Sequence, residues 1–466
     1  MISSTTAAGI SARIDRIPAN RKLWTWVAKL SLGGFFEVYD LALTALMSPL
    51  LVQAGLFRND ATGMFGVSDQ ATFAFATMFG LYVGALGFSN ITDKYSRRSL
   101  FVGSMLWYSM ATVMMGLQDT AIGICFWRFI AGVGLGVELV VIDCYLAEIT
   151  PKALRGRVFS ISKFLQLCAI PIAGLLAHFV APHDLLDVAG WRWMALFPAV
   201  GALIVLAIRR NIPESPRWLA SKGKLGQADN VVRNMEEYVT RRMGVFLAEP
   251  VLVPEVAQKS VSYRDLFRAP YLGRVAMLIV ATSASSIAYY GFAQWTPTLL
   301  ENQGVSVTKS LLYAAMIGFA YPLSPLIAAT FADRVERKWQ IVIGGAIVAV
   351  SGLLFAWQTT AVMWIAMGVF LTFGNELKGT ATHTYRAELF PTELRGKAVG
   401  FVYSFSRLAS AVSSYLIAFV LLQFGVQGVF ITLALFIGLS IFVTLMYGPR
   451  TLGLAYEELE KGRARN

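Results

Sequence analysis

Charge is scarce in this chain. Aspartate, glutamate, lysine and arginine make up 15% of its 466 residues, against about 25% in an ordinary soluble domain. A water-soluble globule is therefore excluded, and the 56% of apolar residues must face something other than water. Cysteine is nearly absent. Cys125, Cys144 and Cys168 fall inside apolar runs with no pair at metal-ligand or redox spacing, so they read as packing residues. His178, His183 and His383 are scattered, which excludes a histidine-built metal centre. No nucleophile motif and no phosphate-binding glycine loop appears, so neither an enzyme nor a resident cofactor or metal is expected. The segment before Leu23 is polar. The apolar run from Leu23 to about Ala54 is too long for a signal h-region and lacks a small-residue cleavage site, so no cleavable signal is expected.

What the chain has is long apolar runs. A membrane span needs about 20 mostly apolar residues. Twelve segments qualify: 23–52, 69–92, 99–117, 120–147, 158–181, 191–209, 272–300, 309–332, 339–357, 361–386, 397–422 and 427–447. The fold class is thus an all-α membrane protein with twelve transmembrane helices. Lysine and arginine crowd alternate loops: the N-terminus, the turns at Lys94, Arg97 and Arg98 and at Lys152, Arg155 and Arg157, the loop 210–271, the turns at Arg334, Arg337 and Lys338 and at Arg395 and Lys397, and the tail. The intervening loops hold almost none. Basic loops stay in the cytoplasm, which places both termini inside an inner or plasma membrane. The net charge of +12 is then a topology signal with an affinity for anionic lipid head groups, and no nucleic-acid partner is expected.

An internal repeat divides the chain. Ala147-Glu148-Ile149-Thr150-Pro151-Lys152-Ala153-Leu154-Arg155-Gly156 recurs as Ala387-Glu388-Leu389-Phe390-Pro391-Thr392-Glu393-Leu394-Arg395-Gly396, 240 residues on. Asp93-Lys94 with Arg97-Arg98 recurs at the same offset as Asp333-Arg334 with Arg337-Lys338. Two motifs sharing one offset imply duplicated six-helix bundles, with a substrate site between them near the bilayer midplane. The expected organisation is a cytoplasmic segment 1–22, a bundle 23–210, a loop 211–271, a second bundle 272–447 and a tail 448–466. Within the loop, 225–243 reads as a surface helix with Val231, Val232, Met235 and Val239 on one face. The repeated turns form a candidate cytoplasmic gate. Asp93, Arg97, Arg98, Glu148 and Arg155 in one half match Asp333, Arg334, Arg337, Glu388 and Arg395 in the other. Their acids are expected to hold neighbouring bases and helix ends, Glu148 with Arg155 and Glu388 with Arg395, and to release them as the protein changes state.

These motifs resemble the major facilitator superfamily, and the resemblance runs over essentially the whole chain. Arg155-Gly156, Arg395-Gly396 and above all Pro213-Glu214-Ser215-Pro216-Arg217-Trp218-Leu219 after span six are similar to the sugar-porter branch, which includes metabolite:proton symporters, niacin-type transporters and organic-ion carriers. The turn at Asp93 departs from the family pattern, with Ser89 and Ser96 where glycines are usual.

Ionisable residues inside a span are costly and mark function. Span one carries Glu37 and Asp40 on one helical face. Phe36-Glu37-Val38-Tyr39-Asp40 resembles the family's Tyr-Asp motif, whose aspartate takes the coupling proton in sugar:proton symporters. Arg128 followed by Gly132, Gly134 and Gly136 in span four matches the family's arginine-and-glycine helix; the resemblance implies that Arg128 pairs with Asp40. Glu138 matches an acid of organic-anion:proton symporters. Asp40, Glu138, Arg128 and Glu37 are therefore the candidate proton-coupling residues. Structural pairing of Asp40 with Arg128 is the competing reading, and Asp143 reads as structural.

Counted along the motifs, Lys163, Ser285, Tyr290 and His383 stand where sugar porters carry a glutamine, a glutamine, an asparagine and a tryptophan. The amides that read sugar hydroxyls are absent, so a neutral hexose is not expected. Lys163 lies about 12 Å into span five and Arg407 about 15 Å into span eleven, both near the midplane. Ser406-Arg407-Leu408 resembles the span-eleven arginine of organic-anion carriers, and a guanidinium fork suits a carboxylate. Lys163, Arg407, Tyr290, His383, Tyr403 and Gln294 form the candidate substrate set. Glu376 and Lys378 are expected to pair across the halves. The reading is a monomeric proton-coupled symporter of a small organic anion, such as an aromatic or sugar-derived monocarboxylate. Its alternatives are a proton antiporter exporting organic compounds, a neutral-sugar symporter and a non-transporting sensor.

Overall fold

The computed structural model describes residues 6–60, 62–87, 95–184, 186–208, 212–250, 262–331 and 334–451. Among them, nine helices are long and apolar enough to cross a membrane. The last of these, inside Thr392–Tyr447, is two spans in one: Gly425, at φ 65°, turns the chain between span eleven and span twelve, a conformation that glycine adopts without steric cost. Gly190–Ile208 and Ala361–Glu388 complete the twelve-helix fold.

In the first half, span one is Arg21–Gln53, span two Asp69–Gly87, span three Arg97–Gly116 and span four Ala121–Ile149. Side chains set several starts. Asn20 accepts from the Leu23 N–H at 2.9 Å, Ser96 from Ser99 and Thr120 from Gly123, both at 3.2 Å, each satisfying an orphan donor of the first turn. Spans five, seven and eight are each broken in two: Arg155–Leu167 and Ala169–Val180, Tyr271–Ala293 and Thr296–Glu301, Val307–Gly318 and Ala320–Phe331. The breaks at Leu167, Ala293 and Gly318 fall four residues before Pro171, Pro297 and Pro322. Proline has no N–H to give the carbonyl four residues back, and its ring clashes there. Span nine is Arg337–Ala356.

Glycines seat span two on span four. A Cβ on Gly84 would stand 2.1 Å from the Val133 carbonyl oxygen, and one on Gly132 2.7 Å from that of Thr77, so the two backbones touch directly, as packing between membrane helices favours. The outer faces expose Met110, Ile122, Phe126, Phe179, Leu203 and Leu435, an apolar surface that lipid would cover.

The halves meet most closely at the end opposite the basic loops. Gln70 donates to Thr298 at 2.5 Å. The His178 ring nitrogen lies 2.9 Å from the Thr308 carbonyl, and Gly174 leaves room for Ala315. Phe75 of span two stacks near Tyr415 of span eleven, ring centres 4.9 Å apart.

Outside the spans, Leu225–Met243 is a helix that buries Val232, Met235 and Val239, the surface helix expected, although Val231 is only partly covered. The N-terminal helix Ala7–Asp15 packs Ile10 and Ile14 on Trp218, Leu219 and Val232. Arg13 pairs there with Asp229 at 2.5 Å and Glu236 at 2.6 Å.

Candidate functional site

The basic end repeats itself bond by bond, with partners other than those expected. Glu148 pairs with Arg97 at 3.1 Å, and Glu388 with Arg337 at 3.4 Å; each residue of the second pair lies 240 positions after its mate. Arg155 and Arg395 stand in the first turn of the next helix, beyond Pro151 and Pro391, and Arg395 donates to the Phe390 carbonyl at 3.5 Å. Arg97 and Arg337, at the starts of the spans lying alongside, are nearer. Glu214 of the Pro-Glu-Ser-Pro string receives the Ser96 hydroxyl and the Arg98 N–H, and so caps span three. Tyr145 donates to the Pro213 carbonyl, and its repeat mate Tyr385 to the Pro449 carbonyl at 2.7 Å. Asp93 and Asp333 lie outside the described residues. Arg334 is exposed.

Asp40 and Arg128 meet as expected. Both side chains are fully buried. The Arg128 guanidinium bonds the Asp40 carboxylate, the Asp40 carbonyl at 2.6 Å, Thr44 at 2.8 Å and Thr77 at 3.0 Å, while Thr112 donates to the other Asp40 oxygen at 2.7 Å. The pair is saturated with hydrogen bonds, the condition under which a buried ion pair is tolerated. Glu138 is its opposite. It is fully buried, beside Gly33 of span one; its one polar neighbour is the Tyr108 hydroxyl, and neither group completes a well-formed hydrogen bond among the described residues. Lys378 is 4% exposed and its ammonium is likewise unpartnered. The expected pairing of Lys378 across the halves is therefore not made: it sits inside the second bundle, tight against Gly344 of span nine.

Lys163 and Arg407 both reach the space between the halves, in different company. The Lys163 ammonium lies 4.0 Å from Asp143 and 3.2 Å from Gln166, with 42% of its side chain exposed. Asp143, read from sequence as structural, thus partly neutralises a candidate substrate residue. Glu37, buried on span one, is within electrostatic range of Lys163, Asp143 and Arg407. Glu376 lies beside the Tyr289 hydroxyl and within electrostatic range of Lys163. Arg407 donates to the hydroxyls of Tyr290 and Tyr403, and its guanidinium lies 4.6 Å from the Tyr403 ring centre and 5.6 Å from that of Tyr290. No carboxylate stands within 4.0 Å of it among the described residues. His383 is exposed on span ten, facing Lys163, Arg407 and Arg386. Gln294 is buried at the break in span seven with its amide nitrogen unpartnered, one turn beyond Tyr290. Arg386 escaped the sequence reading. It stands immediately before the Ala387–Gly396 motif that reads as a gate, and its contact with Tyr403 (5.6 Å) comes from a different span.

Two pseudo-symmetric helical bundles that bring ionisable side chains of both halves towards one another are the architecture of a secondary transporter. The profile of the sugar (and other) transporter family matches residues 26–462, and the chain belongs to that family, within the major facilitator superfamily. It is a multi-pass membrane transporter of metabolites. Among relatives, the inner membrane metabolite transport protein YdjE of Escherichia coli (strain K12) is 28% identical over 468 residues, 97% of this chain and 98% of that one. The niacin transporter NiaP of Acinetobacter baylyi is 26% identical over 450 residues, covering 96% and 99%. The partially occluded inward open conformation of the E. coli xylose transporter XylE superposes with a TM-score of 0.74 over 94% of this chain and all of that one, at 17% identity.

Proposed function

We propose that this transporter is a proton-coupled symporter of a small organic anion, an aromatic or sugar-derived carboxylate, working by alternating access. The observation that carries the reading is Arg407: a guanidinium between the halves, oriented by two tyrosine hydroxyls, with no carboxylate within 4.0 Å among the described residues. Tyrosine oxygens orient the fork but bring no charge, so a substrate carboxylate is the natural counter-ion. The relative named for niacin transport, itself a pyridine carboxylate, points the same way.

Protons enter through the acids of the first bundle. Glu138 has no cation beside it among the described residues, only the Tyr108 hydroxyl as a neighbouring donor, and an uncompensated charge at such a site is costly, so it is suited to carry a proton in this state and to release it when water or a cation reaches it. Asp40 is the second proton site: protonating it breaks its bond to Arg128 and frees span one from span four. A proton and an anion moving together leave the cavity neutral, which lowers the cost of crossing the midplane. The basic end faces the cytoplasm, with both termini inside, in a bacterial inner membrane or a plasma membrane. The cavity is then open inward, since the contacts between halves gather at the other end.

Uptake into proteoliposomes tests this. An inwardly directed proton gradient should drive accumulation of a carboxylate such as nicotinate or gluconate. Accumulation under the reversed gradient would establish the antiporter instead. Saturable uptake of neutral xylose or glucose with no response to carboxylates would end the anion reading.

A further inference from the structure

Arg386 is 6% exposed on span ten, its Nε donating to the Thr382 carbonyl at 3.3 Å. Among the described residues no carboxylate lies within 4.0 Å of it. Its guanidinium stands 5.6 Å from the centre of the Tyr403 ring, the ring that Arg407 approaches to 4.6 Å from span eleven. His383, one turn earlier on the same helix, is exposed and faces both arginines.

The acids of the cavity are elsewhere. Asp143 lies 4.0 Å from Lys163, and Glu37 and Glu376 are within electrostatic range of it. Glu37 is within that range of Arg407 as well, whereas the charged neighbour of Arg386 among the described residues is Arg407 itself. A buried cation without a counter-ion is expensive, and two guanidiniums on one aromatic ring compound the cost. The cavity therefore has an acid-rich pole at Lys163 and an acid-poor pole of two arginines, where one carboxylate would compensate only one charge.

We infer that Arg386 and Arg407 together form a two-cation pole of the substrate cavity, which selects organic anions carrying two acid groups over those carrying one. This rests on the anion reading above and goes beyond it in assigning Arg386 and the charge number of the substrate. The test uses matched probes on the purified full-length protein: D-gluconate against D-glucarate, and nicotinate against quinolinate. In at least one pair the dianion should bind more tightly, by roughly tenfold or more. Arg386→Gln should erase that preference, weakening the dianion at least several-fold more than its monoanion, and Arg386→Lys should keep part of it, since a point charge replaces the fork. Equal weakening of both members of a pair by Arg386→Gln would mean that the residue only positions Tyr403, and would overturn the inference while leaving the anion reading intact. A monoanion preference in the wild-type protein would overturn it without any variant. Failure of the wild type to bind any of the four probes would remove the proposed function and this inference with it.

Discussion

The Arg407 guanidinium lies 4.6 Å from the centre of the Tyr403 ring, one helical turn before it on span eleven, and donates to that tyrosine's hydroxyl. The helix thus orients its own cation, and Tyr290 of span seven closes the clasp. Arg407→Ala should reduce anion affinity by roughly a hundredfold, the loss expected when one side of a buried charge pair is removed. Tyr403→Phe keeps the ring and loses the hydroxyl, so a reduction of only a few-fold is expected, about one hydrogen bond to a charged group. Isothermal titration of both variants checks the order. Unchanged affinity in Arg407→Ala would move the substrate elsewhere.

The two proton candidates should separate by stability. Glu138→Gln keeps an oxygen beside the Tyr108 hydroxyl and strands no cation, so it should fold normally, abolish uphill uptake and retain anion exchange. Asp40→Asn should uncouple in the same way, but at a cost in melting temperature, because Arg128 is left buried beside a neutral amide. Arg128→Ala strands the Asp40 carboxylate and should cost about 3–5 kcal/mol. Counterflow and gradient-driven uptake in the same vesicles give the first comparison, and thermal denaturation the second. Full gradient-driven accumulation by both acid variants would remove proton coupling from these residues.

Where backbones touch, no side chain fits. Gly84→Val puts a branched side chain 2.1 Å from the Val133 carbonyl oxygen. Overpacking of this kind costs about 1–3 kcal/mol or more, and the clash is with backbone that cannot rotate away. Folded yield in detergent should collapse for Gly84→Val and stay near wild type for Gly87→Val, where nothing lies within 4 Å.

Much of the fold was legible because membrane helices announce themselves in length, and the duplicated motifs fixed the halves. The breaks in spans five, seven and eight were also written in the sequence, as Pro171, Pro297 and Pro322, but apolar runs hide them from a reading by hydropathy. The Asp40–Arg128 pair was expected through the family motif and is present. Partner choice was less legible. Glu148 takes Arg97 over Arg155 because adjacent antiparallel spans bring distant residues closer than seven positions of chain across a proline. Arg386 was hidden for the same reason: its neighbours, Tyr403 and Arg407, belong to the next span, and the motif that follows it suggests another role.

The N-terminal helix is held by acids that titrate. A hydrogen bond from Arg13 holds Asp229 below its usual range, with Arg233 adding to it. Burial pushes Glu236 up, but hydrogen bonds from Arg13 and Arg16 more than offset this and hold it low as well. A lowered folded-state value means stabilisation that is fully present above the ordinary carboxylate range and lost as pH falls through the lowered values. Arg13 is raised and stays charged throughout. The protection of residues 7–15 against hydrogen exchange, relative to the intrinsic rate at each pH, should therefore be high at neutral pH and fall below about pH 4. Glu236→Gln should be less protected already at neutral pH. Protection independent of pH in that range would mean that the apolar contacts of Ile10 and Ile14 hold the helix unaided.

The most direct test of an anion site at Arg407 is thermal stabilisation of the purified protein by nicotinate, its amide nicotinamide and neutral glucose, extended to gluconate and the dianions. The amide keeps the size and shape of nicotinate and removes the charge. Stabilisation by carboxylates, absent with the amide and with glucose and lost in Arg407→Ala, is the result the structure predicts. Stabilisation by glucose or nicotinamide, or a carboxylate response that survives Arg407→Ala, would contradict it.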